Sequence, residues 1–102
     1  MSPADELRAA ADKLGKLADV AQQDLDTGEY WSFYDKATAW RDGFTNGFGG
    51  VSSELVALFT PTAARELSRW LQSAARDAVE IGPDPHALAV ARAINGAPEA
   101  RS

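Results

Sequence analysis

Residues 60–83 read TPTAARELSRWLQSAARDAVEIGP, and this stretch decides the fold class. Ala64, Leu67, Leu71, Ala74, Ala78 and Ile81 recur in steps of three and four, which on a helix places them along one apolar stripe. Thr60 and Pro61 start this helix, with proline suited to the first helical position. Gly82 and Pro83 end it, as a C-terminal glycine followed by proline does.

The same punctuation recurs on both sides. Upstream, Gly49 and Gly50 break the chain, and Ser52 or Ser53 is placed to cap a short helix carrying Leu55, Val56, Leu58 and Phe59. Downstream, Asp84 and Pro85 begin a last helix that buries Leu88, Ala91 and Ile94, and Gly96 closes it before the tail APEARS. At the start, Ser2, Pro3 and Asp5 combine a capping hydroxyl, an N1 proline and a carboxylate three residues on. The first helix carries Leu7, Ala11, Leu14, Ala18, Ala21 and Leu25 along one narrow stripe and stops at Asp26, Thr27 and Gly28. The pattern predicts an all-α protein, a small helical bundle of four main helices plus one short helix, with little or no sheet. One domain is expected over residues 1–96, with 97–102 disordered.

Seven of the nine aromatic residues fall between Tyr30 and Phe48, in YWSFYDKATAWRDGFTNGF. YWSFY could open a strand by propensity, but Ala37, Trp40, Phe44 and Phe48 recur at helical spacing, so a helix is expected from about Tyr30. Gly43 and Gly47, four apart, remove bulk from one face of that helix and would let another helix approach closely. A phosphate-binding loop is disfavoured, because no strand precedes these glycines and no Lys-Ser/Thr pair follows them.

The absence of cysteine excludes a disulfide framework, a thiol nucleophile and cysteine-based zinc sites, and suits a reducing cytoplasmic setting. No uninterrupted apolar run marks a secretory signal or a membrane span. Fifteen acidic against ten basic side chains give a net charge of −5, which opposes nonspecific attraction to phosphate backbones. Asp19, Asp24, Asp26, Glu29 and Asp35 follow one another without a basic residue until Lys36, a pattern expected of a solvated helix end and loop.

Catalytic chemistry finds little to work with. His86 is the sole histidine, with no second imidazole to share a metal, and reads as an exposed side chain near Asp84. The carboxylates sit at capping or ion-pairing positions, with Arg8 and Asp12, Asp12 and Lys16, and Arg76 and Glu80 spaced as i, i+4 neighbours. Trp70 lies beside the stripe of the middle helix and either widens its core face, the preferred reading, or reaches a second surface. No catalytic, cofactor-binding or metal-ligating residue is assigned, and the protein is expected not to be an enzyme. One basic face exists: Arg65, Arg69 and Arg76 lie within about forty degrees of one another opposite the apolar stripe. ELVALFTPTAARELSRWL is superficially like a helix-turn-helix, but Thr60, Pro61 and Thr62 stand where such units place a glycine and then a buried apolar residue. Nucleic-acid binding through those arginines is therefore the alternative reading.

LRAAADKLGKLA, FTPTAARELSRWLQSAARDA and DPHALAVARAINGA together cover well over half of the chain. They resemble small alanine-rich uncharacterised proteins of actinobacteria and their phages. The resemblance implies a cytoplasmic setting, admits a phage or prophage origin, and implies no activity. Many such proteins carry a glycine-proline-tryptophan turn after the first helix, where this chain has Gly28, Glu29, Tyr30 and Trp31. The function expected is that of a non-enzymatic interaction module that self-associates or binds a host or phage protein. Its interface is placed on Trp40, Phe44 and Phe48 with Gly43 and Gly47, as a two-fold homodimer, because a bundle this small has little interior for seven aromatic rings.

Overall fold

The structure, a computed structural model, describes residues 1–96 and is helical throughout, with no strand among the described residues. It runs in the order α1 (Pro3–Thr27), a 3-10 turn (Tyr30–Phe33), α2 (Ala39–Gly47), α3 (Gly50–Ala57), α4 (Pro61–Ile81) and α5 (Pro85–Asn95). The region expected as one domain is organised as two compact units, one of residues 1–16 and 65–96, the other of Leu17–Ala64. The tail expected to be disordered, 97–102, lies outside the described residues.

The starts of α1, α4 and α5 and the end of α5 follow the sequence signals. The Asp5 backbone N–H donates to Ser2 Oγ at 3.1 Å while the Ser2 N–H donates to the Asp5 carboxylate at 3.3 Å, so each satisfies a donor of the other. Thr60 Oγ1 accepts from the Ala63 N–H at 3.1 Å at the head of α4. Asp84 accepts from the His86 N–H at 2.8 Å at the head of α5, and Gly96 in the left-handed region closes that helix.

The first unit is built on alanine. Leu7, Ala10 and Ala11 of α1, Leu71, Ala74 and Ala75 of α4, and Ala87 and Ala91 of α5 form its buried core, with Leu14, Leu67, Ala78, Val90 and Ile94 packed against it. Small side chains let these helices approach closely. Buried Ser68 Oγ donates to the Ala11 carbonyl at 2.7 Å, and a Cβ at Gly15 would stand only 3.1 Å from that Oγ. Arg92 grips the Glu6 carboxylate with Nε at 3.0 Å and Nη2 at 3.2 Å, and Asn95 Nδ2 donates to the Glu6 carbonyl at 3.1 Å, so α5 is tied to α1 at both side chain and backbone.

Four local expectations are corrected. The stripe of α4 is buried or half-buried as far as Ala78, but Ile81 is 84% exposed, being the last helical residue before the chain turns away at Gly82. Trp70 is exposed rather than part of the core, lying off the edge of that stripe. Arg8 pairs with Asp5 at 3.2 Å, one turn toward the N-terminus, rather than with Asp12. The aromatic segment is not one helix from Tyr30: the 3-10 turn ends at Tyr34, whose backbone is extended, and Asp35 Oδ1 accepts from the Ala37 N–H at 3.0 Å. That local side-chain bond offers the backbone an alternative to the helical ladder, so α2 begins only at Ala39 and Ala37 is left exposed.

Candidate functional site

The second unit is organised around Trp31. Its indole stacks on Trp40 at 5.5 Å between centroids and 12° between planes, meets Tyr30 edge-on at 5.0 Å, and lies 5.8 Å from Phe44. Trp31 Nε1 donates to Asp24 Oδ2 at 2.8 Å, which fixes the ring from the last turn of α1. From Trp31 the rings continue through Trp40 and Phe44, 4.7 Å apart, to Phe48, stacked on Phe44 at 5.9 Å.

The residues expected at an interface therefore have different surroundings. Trp40 and Phe44 are half-buried in the chain's own aromatic cluster, and only Phe48 stands well out, 78% exposed. Gly43 is buried beneath Trp31 and Tyr30, and a Cβ at Gly47 would come 3.1 Å from the Tyr30 hydroxyl. The close approach expected at these glycines is thus made by rings of the same chain. Tyr30 Oη donates to the Gly43 carbonyl at 2.5 Å, and Asn46 Nδ2 donates to Tyr34 Oη at 2.9 Å. The neighbouring Tyr34 hydroxyl, and then burial, push the Tyr30 phenol above its ordinary pKa.

The exposed apolar surface of this unit lies on α3. Gly49 and Gly50, both at positive φ near 75° (74 and 76), turn the chain sharply out of α2 and start α3 two residues before the serines expected to cap it. Ser53 is instead buried, its Oγ donating to the Gly50 carbonyl at 3.0 Å. The helix is amphipathic in the reverse sense. Its small residues Ser53 and Ala57 are buried, while Val51 (81%), Leu55 (70%) and Leu58 (75%) are exposed. At about 100° per residue those three lie within roughly 60° of one another, on the side opposite Ser53 and Ala57. They line an open groove of about 1060 Å³ with Arg41, Asp42 and Thr45 of α2. Val51 was not singled out from the sequence. The signal was available in the small residues Ser53 and Ala57 four apart, and in a run from Ala37 to Ala64 whose only charged residues are Arg41, Asp42 and Glu54.

The arginines of the alternative reading lie along α4. Arg69 is ion-paired with Glu66, one turn before it, with both side chains largely exposed, and Arg65 is half-buried. Arg76 is exposed. His86 lies exposed at the start of α5, its backbone held by Asp84. Among the described residues no group of three or more histidine or acidic side chains converges as a metal site, and no helix is long and apolar enough to cross a membrane. No protein-family model matches this chain, and no curated protein and no solved structure is significantly similar to it.

Proposed function

We propose that this chain is a small helical-bundle interaction module that presents an apolar helix face to another protein and performs no chemistry of its own. The carrying observation is the reversed amphipathicity of α3. Large apolar side chains at Val51, Leu55 and Leu58 face solvent while serine and alanine are buried behind them. Exposed apolar clusters poor in charge are characteristic of interface cores. The partner is a second copy of the chain or a host or phage protein, consistent with a cytoplasmic setting.

The test compares wild-type protein with Leu55→Asp, both immobilised and exposed to cell lysate, alongside the mass of each in solution. The expected result is an association, with itself or with a captured protein, that the wild type makes and Leu55→Asp does not. A wild type that stays monomeric and captures the same proteins as Leu55→Asp overturns the reading. Retention of duplex DNA at physiological salt, steeply weakened by added salt and lost on Arg65→Ala with Arg69→Ala, replaces it with the regulator reading.

A further inference from the structure

We propose that the occupant of the α2–α3 groove is a second copy of this chain, docked through its own α3 about a two-fold axis passing near Leu55. This deepens the interaction-module reading and rests on it. Three observations converge on self-pairing.

The surface is complementary to itself. Val51, Leu55 and Leu58 are at once the wall of the groove and the exposed apolar ridge beside it, so in an isologous contact each copy supplies a ridge and receives one.

The charge pattern selects this face. Copies of a chain carrying −5 repel one another, and they do so least where charge is sparse, which is the run from Ala37 to Ala64. Three charges remain there, Arg41 and Asp42 on the α2 side of the groove and Glu54 on its α3 side; docking α3 of one copy against the other carries each Glu54 toward the partner copy's α2 rim, where Arg41 is the favourable contact and Asp42 stands beside it. Among the described residues Arg41 meets Asp42 at 3.5 Å, an exposed ion pair of the kind that contributes little.

The area is of the required order. Taking ~150–200 Å² for a fully exposed side chain of this size, Val51, Leu55 and Leu58 expose roughly 400 Å² of apolar surface, within the range of the largest patches on monomers. A standard interface takes about 800 Å² from each partner, and the polar rim of Arg41, Asp42 and Glu54 is placed to supply the difference.

The experiment is sedimentation equilibrium of the full chain from about 1 µM to about 1 mM, spanning weak to moderate self-association. The wild type should pass from 10.9 kDa to twice that mass. Leu55→Asp should raise the dissociation constant by at least about tenfold, as loss of a central apolar anchor does. Phe33→Asp, a control at an equally exposed aromatic on the 3-10 turn, should leave it within about twofold. Because Leu55 is exposed, both variants should keep the wild-type helical circular dichroism. Arg41→Glu and Glu54→Arg should each dimerise more weakly than wild type, and an equimolar mixture should form a mixed dimer tighter than either variant alone. A mass of 10.9 kDa at every concentration, a dimer indifferent to Leu55→Asp, or a mixture no tighter than its components overturns the two-fold pairing. Failure here leaves the lysate comparison to judge the broader reading, because a foreign helix in the same groove would still be lost with Leu55→Asp.

Discussion

The Trp31 indole lies directly over Gly43, so that a Cβ at that glycine would also stand 2.9 Å from Cε3 of the ring, closer than real contacts allow. The glycine is a seat for the ring that organises the aromatic cluster, and the Tyr30 hydroxyl bonded to the Gly43 carbonyl secures the same junction.

Gly43→Ala should therefore destabilise the protein although alanine is the better helix former. The propensity gain is about 1 kcal/mol, whereas overpacking against a ring that is itself stacked on Trp40 costs ~1–3 kcal/mol. Thermal unfolding should move to lower temperature and tryptophan emission should shift to the red. An unshifted melt with unchanged emission would show that the indole moves aside freely.

Leu71→Ala should be strongly damaging to the first unit. Leu71 is fully buried among Leu7, Ala10, Ala11, Ala74, Ala75, Ala87 and Ala91, and alanine neighbours cannot extend to fill the space. A loss of ~2–5 kcal/mol is expected, read as a fall in Tm of about 4–8 °C per kcal/mol. A melt within two degrees or so of the wild type would place the core elsewhere.

Trp40→Phe should be nearly neutral. Among the described residues the Trp40 indole N–H is buried with no hydrogen-bond partner, and such a donor costs about 1–3 kcal/mol in the native state. Removing it offsets the lost ring volume, so a net change below ~1 kcal/mol is expected, against ~2–3 kcal/mol for Trp40→Ala, which removes the ring altogether. Equal losses in the two variants would mean that the N–H finds a partner in solution.

The Glu6–Arg92 pair sets a pH dependence. The hydrogen bonds from Arg92, opposed by burial and reinforced by its charge, hold the Glu6 carboxyl below its ordinary pKa. A depressed carboxylate contributes stability that is present above its unfolded pKa and is lost as pH falls through the folded value. The advantage of wild type over Glu6→Gln in urea unfolding should therefore be present at neutral pH and shrink as pH falls below about 4. An advantage that does not change with pH would show that the ionised Glu6 carboxylate is not the source of the difference.

Much of the helical frame was legible because its causes are local. Ser2 with Asp5, Thr60 with Pro61, and Asp84 with Pro85 cap or start helices through bonds within a few residues, and Gly82 and Gly96 end them with backbone that other residues adopt at a cost. The aromatic segment was less legible. Helical spacing from Ala37 to Phe48 was visible, but Asp35 bonding the Ala37 N–H and Trp31 folding back to Asp24 are side-chain choices that periodicity does not register.

By itself, then, the sequence determined an all-helical chain, where most of its helices start and stop, and an alanine-lined core stripe from Leu7 and Leu71, because capping and 3.6-residue periodicity act within a turn or two. Only the tertiary structure decided which apolar residues are left outside. Trp40 and Phe44 are half-buried because Trp31 arrives from nine and thirteen positions away to pack on them, and Gly43 admits it. Val51, Leu55 and Leu58 face solvent because the helix rests on its small side, Ser53 and Ala57. Burial depends on what each face meets across the fold, and a hydrophobic side chain carries the same preference whether its neighbour comes from its own chain or from another.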